Sequence, residues 1–332
     1  MPEISAFLAA LGLEAAALSP VAADWSVRRF HRVVRDGHSA ILMRWPDGTP
    51  GGEIGRLPEI TALFAAHGVR VPQVYAVDAA AGFALVEDFG PLTMAQRIDA
   101  GEPAAPMLHA AVDLLVHLHK AYPAVAGHDL PRFTAAMAAE RAARFCDWAL
   151  PALAPDARAR FIALWRLTWP MAEAVPITLA HYDFHPGNMF SITAGKCAVI
   201  DFQDAVLAPV AFDLACLLQD IRRDYDPGLL ADLRARYLGA FPGLDPELLD
   251  QAVAVTGAQR ATQILGNLGR ARAEGRLSSR QAGDIARAWD RLERNLGHPV
   301  LAGLKPWYDT HAPAESRPRQ ANAPSVTAES TG

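Results

Sequence analysis

The spacing of apolar residues changes from mainly strand-type alternation to mainly helical spacing at Gly90-Pro91, and this change limits the folds that the chain can adopt. Before it, strand-type alternation broken by turn residues predicts four strands and one helix in the order β-β-α-β-β. After it, apolar residues recur at helical spacing in most segments. The sequence therefore predicts an α+β protein, with a small lobe containing a mixed sheet over 1–90 and a large, mainly helical lobe over 91–311.

Local signals predict the elements inside these lobes. The Asp36-Gly37 pair is typical of a two-residue hairpin turn. The chain is predicted to begin with a helix over 3–18, and a hairpin over 177–201 interrupts the helices of the large lobe. The predicted strands of the small lobe are 27–34, 39–45, 71–76 and 82–87, and its helix is 56–67.

Composition narrows the class of protein. The 332 residues are 51% hydrophobic and carry a net charge of −5, which indicates a buried core and no basic surface for nucleic acid. Cys146, Cys197 and Cys216 form no CxxC pair, so we expect a reduced, cytoplasmic protein. No apolar run approaches the roughly 18 residues of a membrane span, so no membrane contact is expected. Residues 312–332, rich in Pro, Ala, Ser and Thr, are predicted to be a disordered tail.

The hairpin over 177–201 carries the densest group of reactive side chains. An apolar strand leads into the polar loop His181-Tyr-Asp183-Phe-His185-Pro-Gly-Asn188, and the returning strand leads into Asp201-Phe-Gln-Asp204. A two-residue turn at Ala194-Gly195 would place Asn188 directly opposite Asp201. An amide oxygen and a carboxylate oxygen are hard ligands, which suit Mg²⁺. Asn188 and Asp201 are therefore predicted to be metal ligands.

Asp183 lies beside that predicted pair, on the same loop. A carboxylate next to a Mg²⁺-phosphate site can accept a proton from an incoming hydroxyl and orient it for in-line attack. The spacing H-x-D-x-x-x-x-N is that of the kinase catalytic loop, and Asp201 takes the position of the DFG aspartate. Asp183 is therefore predicted to be the catalytic base.

Two other interpretations of this loop stay open at this point. His181, Asp183 and His185 could be zinc ligands of a metallohydrolase, which would need further ligands from elsewhere in the chain. The loop could also be a polar turn without chemistry, capped by its His and Asn residues. Neither a G-x-G-x-x-G sequence nor a Walker A motif is present, so the Rossmann and P-loop interpretations are excluded.

The loop together with Asp201-Phe-Gln-Asp204 resembles the Brenner motif of the aminoglycoside phosphotransferase and choline kinase superfamily. That superfamily has a two-lobed, protein-kinase-like fold. The chain more closely resembles the N-acetylmuramate and N-acetylglucosamine kinases of cell-wall recycling. The runs that carry this second resemblance are Ser26-Val-Arg28-Arg29-Phe30, Gly82-Phe-Ala-Leu-Val-Glu87-Asp88-Phe-Gly90, Asp201 to Leu214, and Arg291-Leu-Glu-Arg-Asn295-Leu-Gly-His298-Pro299.

The resemblance implies an enzyme that uses ATP and Mg²⁺ to phosphorylate the anomeric (C1) hydroxyl of these amino sugars in peptidoglycan recycling. Asp183 would be the base, Asn188 and Asp201 the metal ligands, and His181 a residue that fixes the loop. A small amino sugar is the expected partner, whereas protein partners and the preference between the two sugars are left open. The hinge whose backbone would meet the adenine comprises Val86, Glu87, Asp88 and Phe89.

The chain departs from this superfamily at the lysine that usually holds the ATP phosphates. Its only lysines are Lys120, Lys196 and Lys305, so the small lobe has none. A guanidinium can bind phosphate bidentately, so one of three arginines is expected to replace the lysine. Alternatively, these arginines only form a solvated strand edge. The three candidates are Arg28, Arg29 and Arg44. The acidic helix partner could be Glu53 or Glu59.

Two alternative functions follow from the same observations. The chain could be a kinase of another small hydroxyl compound, such as an aminoglycoside or choline. A cationic substrate would need clustered acids, but Arg222 and Arg223 lie among Asp220, Asp224 and Asp226. The absent lysine could instead indicate a catalytically silent nucleotide-binding regulator, although the intact acidic residues of the loop argue against it.

Overall fold

A computed structural model of the protein describes residues 2–21, 28–46, 49, 54–122, 130–193 and 195–318. Internal contacts divide the chain into two compact units. The first unit comprises Met1–Leu130 and His181–Val206, and the second comprises Pro131–Ala180 and Leu207–Gly332. The lobe boundary near residue 90 stays a prediction. No helix in the described part of the chain is long and apolar enough to cross a membrane.

The first unit contains a five-stranded sheet in which every pairing is antiparallel, with the order β1-β2-β3-β5-β4. The predicted order β-β-α-β-β is confirmed. The sheet gains an edge strand, β1, from the segment predicted as the end of a longer first helix, and it is antiparallel where a mixed sheet was expected. The strands are β1 (Ala17–Val21), β2 (Arg29–Arg35), β3 (His38–Arg44), β4 (Val74–Asp78) and β5 (Phe83–Glu87).

Helix α1 (Pro2–Ala10) supplies the apolar core on one face of this sheet. Ile4 and Leu8 of the helix pack in one cluster with buried side chains of the strands. Because side chains alternate between the two faces of a sheet along each strand, the strand residues in this cluster show which positions face α1. We call it the α1 face. Its strand residues are Val33, Leu42, Phe83 and Leu85.

The predicted turn between β2 and β3 is confirmed. Arg35 pairs with His38, which leaves Asp36 and Gly37 as a two-residue loop. Both have positive φ, +51° and +78° respectively, as a type I′ turn requires. Glycine adopts this conformation without a Cβ clash, and aspartate is among the side chains that tolerate it best.

Three helices and a β-hairpin complete the first unit. Helix α2 (Leu57–Ala66) precedes β4, and helices α3 (Met94–Asp99) and α4 (Ala104–Ala121) follow β5. The hairpin β7 (Met189–Thr193) and β8 (Lys196–Val199) packs against α4, where the thiol of Cys197 lies 3.6 Å from the Ala110 carbonyl oxygen. Burial raises the pKa of Cys197 to about 12, so this thiol is a packing group.

The second unit is mainly helical around an aromatic core. Phe145 packs against Phe161 and Tyr308, and the Tyr308 hydroxyl is hydrogen-bonded to Thr262 at 2.6 Å. Two short strands, β6 (Ile177–Ala180) and β9 (Val206–Pro209), pair with each other. The helices are α5 (Ala135–Trp148), α6 (Pro155–Thr168), α7 (Ala211–Leu218), α8 (Pro227–Gly239), α9 (Pro246–Ala273), α10 (Ser279–Leu296) and α11 (Lys305–His311).

The prediction of a disordered tail from residue 312 is wrong for 312–318. Ala312 is buried, and Arg317 donates from Nε to the Ala312 carbonyl oxygen at 2.6 Å. The Arg317 guanidinium also binds Glu293 at 2.6 Å and lies over the Trp289 ring. One buried arginine with several partners therefore holds a segment whose composition alone favours disorder. Residues 319–332 lie outside the described part of the chain.

Candidate active site

The buried imidazole of His181 fixes the polar loop to the strand that returns from the hairpin. Its Nε2–H donates to the Ile200 carbonyl oxygen at 2.9 Å, and its Nδ1 accepts from the Asp183 backbone N–H at 3.3 Å. These partners assign the neutral Nε2–H tautomer. Burial lowers the pKa of His181 to about 4, against the opposing effect of Asp183 and Asp201. His181 is therefore neutral near pH 7, as expected for a residue that fixes the loop.

The hairpin register differs by one residue from the predicted one. Met189 pairs with Val199, and a bulge on β7 at Ile192 adds one residue to that strand. Ile200 consequently lies opposite Asn188, and its N–H donates to the Asn188 carbonyl oxygen at 3.0 Å. The predicted direct pairing of Asn188 with Asp201 is thus wrong. Asp201 follows Ile200 immediately, so both predicted ligands still lie at the open end of the hairpin.

A small network inside the loop orients Asp183. His185 Nδ1 accepts from the Gly187 N–H at 3.0 Å, so Nε2 carries the proton and faces Asp183 Oδ2 at 3.3 Å. Asn188 Nδ2 donates to the Asp183 carbonyl oxygen at 3.0 Å, which leaves Oδ1 as the Asn188 atom that can bind a cation. Gly187 is required here because a Cβ would lie within 3 Å of the His185 ring.

Two of the three non-glycine residues with positive φ in the described chain border this network. Tyr182 has φ +81° and Asp201 has φ +65°. A left-handed conformation costs about 1–2 kcal/mol for an ordinary side chain, and it is rare for a residue as large as tyrosine. Such strain is concentrated at functional sites, where the surrounding structure holds it. The strained positions therefore lie in the polar loop and directly after the returning strand, the two segments that the sequence indicates.

The two carboxylates are accessible, whereas the imidazoles beneath them are not. The side chains of Asp183 and Asp201 are 30% and 31% exposed, and those of His185 and His181 are buried. Within the described residues no group of three or more His, Cys, Asp or Glu side chains could hold a metal ion. Mg²⁺ needs only one or two protein oxygens beside substrate phosphates. The donor set of Asn188 Oδ1 and Asp201 fits this ion.

The same geometry argues against a zinc hydrolase. Both ring nitrogens of His181 are engaged in hydrogen bonds to the main chain, so the ring cannot be a metal ligand. His185 likewise uses Nδ1 for the Gly187 N–H and directs Nε2 toward Asp183. The His-x-Asp-x-His spacing thus builds a rigid loop in place of a ligand cluster.

Arg28, just before β2, is the predicted phosphate-binding arginine that the structure brings to this site. Its guanidinium forms an ion pair with Asp201 Oδ1, and Gln203 Nε2 donates to the same oxygen at 2.8 Å. The guanidinium also lies 5.9 Å from the Phe30 ring centroid and 5.8 Å from that of Trp45. Arg28 therefore lies near two aromatic rings and beside the predicted metal ligand.

The structure does not bring Arg29 and Arg44 to this site. They pair with each other across β2 and β3 and share the α1 face with Val33 and Leu42. Arg44 binds Glu3 at 2.8 Å. Of the two predicted acidic partners, Glu59 is exposed on α2 and Glu53 lies outside the described residues.

In the predicted hinge, the acidic side chains serve the structure. Arg32 donates hydrogen bonds from two nitrogens to Asp88, at 2.6 and 3.2 Å, and also donates to the Gly90 carbonyl oxygen at 2.9 Å. Burial alone would raise the pKa of Asp88, but hydrogen bonds from Arg32, Gly90 and Ser39 hold it below its ordinary value of 3.8. Val86 is buried at the end of β5.

The other hinge residues interact with Arg70. The Arg70 guanidinium binds Glu87 and lies 4.7 Å from the Phe89 ring centroid. The hydrogen bond from Arg70 lowers the pKa of Glu87. Both acidic side chains of the predicted hinge are therefore engaged in ion pairs.

Removal of the Asp88 carboxylate is expected to destabilise the hinge strongly. Asp88→Ala leaves Arg32 without its bidentate partner, which should lower the free energy of unfolding by roughly 2–4 kcal/mol. The Asp88 side chain is only 3% exposed. Because its folded pKa is lowered, Asp88 stabilises the fold above pH 3.8, and this contribution is lost as the pH falls further.

Urea unfolding at pH 7 and at pH 3 measures this effect. The difference between wild type and Asp88→Ala should shrink at the lower pH. Arg35→Ala is the control, because Arg35 and Asp36 form an exposed pair that contributes little. Equal stability of Asp88→Ala and wild type at pH 7 would contradict the structural role.

Sequence reasoning missed the roles of two residues of this region. Arg32 shares the strand face of Arg28 by period two, so alternation could have separated both from Arg29. His185 orients Asp183, and no sequence signal distinguishes this role from metal binding. Its orientation depends on the close approach of Gly187, which only the three-dimensional structure shows.

Comparison with known proteins by sequence finds a matching family and a relative that spans nearly the whole chain. A model of the phosphotransferase enzyme family matches residues 17–248. The chain is 31% identical to a Caulobacter vibrioides protein named N-acetylmuramate/N-acetylglucosamine kinase, and the match covers 94% of this chain and 97% of that protein.

Solved structures confirm the fold class. A choline/ethanolamine kinase family protein from Mesorhizobium loti matches with a TM-score of 0.63 and 18% identity, covering 92% of this chain and 98% of that one. A variant of aminoglycoside 2'-phosphotransferase-IIIa in complex with GDP matches with a TM-score of 0.64 and 15% identity, covering 89% and 97%. At these identities the likeness concerns the protein-kinase-like fold alone.

Proposed function

Because the chain belongs to the phosphotransferase enzyme family, we propose that it is an ATP- and Mg²⁺-dependent kinase of N-acetylmuramate and N-acetylglucosamine that phosphorylates the anomeric C1 hydroxyl. The proposal rests mainly on one observation. The accessible carboxylate of Asp183 is held by His185 and Asn188, at the end of the hairpin where Asp201 also lies. The name of the Caulobacter vibrioides relative supports the choice of sugars.

In this reaction Asp183 orients the C1 hydroxyl and receives its proton as the C1 oxygen attacks the γ-phosphorus. The new C1 oxygen–phosphorus bond forms while the bond to the β,γ-bridging oxygen breaks, and ADP leaves with that electron pair. Asn188 and Asp201 would hold Mg²⁺, which neutralises charge on the phosphates. His181 and His185 act as supports, since the bonds described above fix both rings.

The anomeric hydroxyl suits a carboxylate base. It is more acidic than the other hydroxyls of a sugar, so a carboxylate of ordinary basicity suffices when the reacting atoms are held in line. We further propose that Arg28 contacts the phosphates and that the backbone of 86–89 meets the adenine. An ATP-dependent kinase acts where ATP is abundant, which supports a cytoplasmic location. The step in peptidoglycan recycling is proposed from the resemblance to the kinases of cell-wall recycling.

Analysis of the product tests this function. The protein is incubated with ATP, Mg²⁺ and each amino sugar, and ³¹P–¹H coupling locates the phosphate. We expect phosphate on C1 and loss of the reducing end. Glucose should be a poor substrate, because a pocket that hydrogen-bonds the acetamido group leaves buried polar atoms unpaired when that group is absent. Phosphate on C6, or activity only on aminoglycosides or choline, would overturn the assignment.

Two of the three acidic residues considered for a cationic substrate, Asp220 and Asp224, are already paired with arginines within the second unit. Asp220 is buried and accepts from Arg222 at 3.2 Å and from Arg223 at 3.3 Å. Asp224 binds Arg291 at 2.7 Å and Arg287 at 3.2 Å. This balance disfavours choline and aminoglycosides as substrates. The intact loop of Asp183 likewise disfavours a silent regulator.

A further inference from the structure

We propose that Arg28 is a positioning residue that couples metal binding to nucleotide binding, because its guanidinium and a divalent cation use the same carboxylate of Asp201. The inference rests on the proposed role of Asp201 as a metal ligand. It assigns to Arg28 a function beyond phosphate contact: the residue exchanges one anionic partner for another as the substrates bind.

The first evidence is the way Arg28 is held. Its side chain is 12% exposed and lies near the rings of Phe30 and Trp45, which stabilise a guanidinium through cation–π contacts. It is bonded to Asp201 Oδ1, which also accepts from Gln203. The two donors occupy both lone pairs of this oxygen, so a cation that binds it must displace at least one of them.

The second evidence is that the neighbouring arginines have other positions or partners. Arg32 is bound to Asp88 through two nitrogens and to the Gly90 carbonyl oxygen. Arg29 and Arg44 lie on the α1 face. The first lysine of the chain is Lys120. Among these cations, Arg28 is therefore the one placed to act on both Asp201 and a phosphate.

The electrostatic consequence follows from these positions. A divalent cation on Asp201 repels the guanidinium and removes its carboxylate partner, which favours transfer of Arg28 to a phosphate group. Conversely, phosphates that attract Arg28 free Asp201 for the metal. Metal and nucleotide thus promote each other's binding, and each binds weakly alone. Because coupling between two sites is reciprocal, it can be measured from either side.

Metal binding without nucleotide provides the first test, with free Mn²⁺ measured by electron paramagnetic resonance. Arg28→Gln should bind Mn²⁺ roughly 5- to 50-fold more tightly than wild type, the range ordinary for coupled sites. Arg28→Lys, which keeps the charge, should remain close to wild type. Arg35→Gln removes an exposed charge from β2, the strand that follows Arg28, and should change nothing. Asp201→Asn should lose the site in both backgrounds.

Nucleotide binding without metal provides the second test, by calorimetry with ATP in EDTA. Asp201→Asn should bind ATP more tightly than wild type, by a similar factor, because Arg28 is released from the carboxylate. The double variant Arg28→Gln/Asp201→Asn should lose this gain. With Mg²⁺ present, Arg28→Gln should instead bind ATP more weakly than wild type. The same substitution is therefore expected to act in opposite directions on metal and on nucleotide.

Loss of folding cannot imitate these opposite changes. Unchanged or weaker Mn²⁺ binding in Arg28→Gln, or unchanged ATP binding in Asp201→Asn, would overturn the coupling. Retention of Mn²⁺ by Asp201→Asn would overturn it as well, since the carboxylate would not be the metal ligand. No sugar enters either titration. A different acceptor hydroxyl would thus refute the proposed function and leave the coupling result intact.

Discussion

The turnover number of the Asp183→Asn variant is expected to be about 10²- to 10⁴-fold lower than that of wild type, the usual effect of removing a general base. The amide keeps the shape of the side chain and cannot accept the proton of the sugar hydroxyl. Nucleotide binding should stay close to wild type, because the hinge and Arg28 are unchanged. Steady-state assays of ADP release give the turnover, and calorimetry gives the ATP affinity.

Asp36→Asn is the matched control for this variant. It makes the same chemical change at an exposed turn position with positive φ, a conformation that asparagine also tolerates. We expect its turnover to be that of wild type. Near-normal turnover in Asp183→Asn would refute the assignment of Asp183 as the base.

The Asp201→Ala variant is expected to lose Mg²⁺-dependent binding of ATP. It leaves only Asn188 and the phosphate oxygens around the ion, and a neutral amide contributes less than a carboxylate. Asn188→Ala should consequently show a milder loss. Calorimetry with ATP at several Mg²⁺ concentrations measures both effects. An enzyme that a zinc chelator stops, and that works without Mg²⁺, would support the metallohydrolase interpretation instead.

The backbone of Asp201 calls for a second variant. Its φ of +65° suits aspartate and asparagine, whereas alanine there adds strain of about 1 kcal/mol. Asp201→Asn keeps the conformation and removes the charge. If Asp201→Asn behaves like Asp201→Ala in the presence of Mg²⁺, the loss is due to the missing carboxylate. If only the alanine variant fails, backbone strain explains the result.

Local patterns in the sequence were sufficient for much of the fold. The change of apolar period at Gly90-Pro91 predicts strands and then helices, and the Asp36-Gly37 pair predicts the turn between β2 and β3. Each signal depends on neighbours within a few residues, which determine backbone preference directly. For the same reason, the spacing of the polar loop predicts that Asp183 and Asn188 lie close together.

Departures from these local patterns needed the structure. The bulge at Ile192 moves Asp201 out of direct register with Asn188. Nothing in the local sequence predicted this bulge. The end of the predicted first helix instead pairs with β2 as an edge strand. Residues 312–318 are ordered because Arg317 finds partners on α10 and α11. In the last two cases, contact with another segment outweighs local preference.

The arginines show most clearly which properties follow from the sequence and which follow from the tertiary structure. Composition establishes that the first 119 residues contain no lysine, and chemistry makes Arg28, Arg29 and Arg44 equal candidates to replace it. Strand alternation and the α1 core place Arg29 and Arg44 on one face of the sheet. Arg28 meets Asp201 across 173 positions of the chain. The sequence determined which groups were available, and tertiary packing decided which of them meet, because electrostatic partners are selected by distance in space.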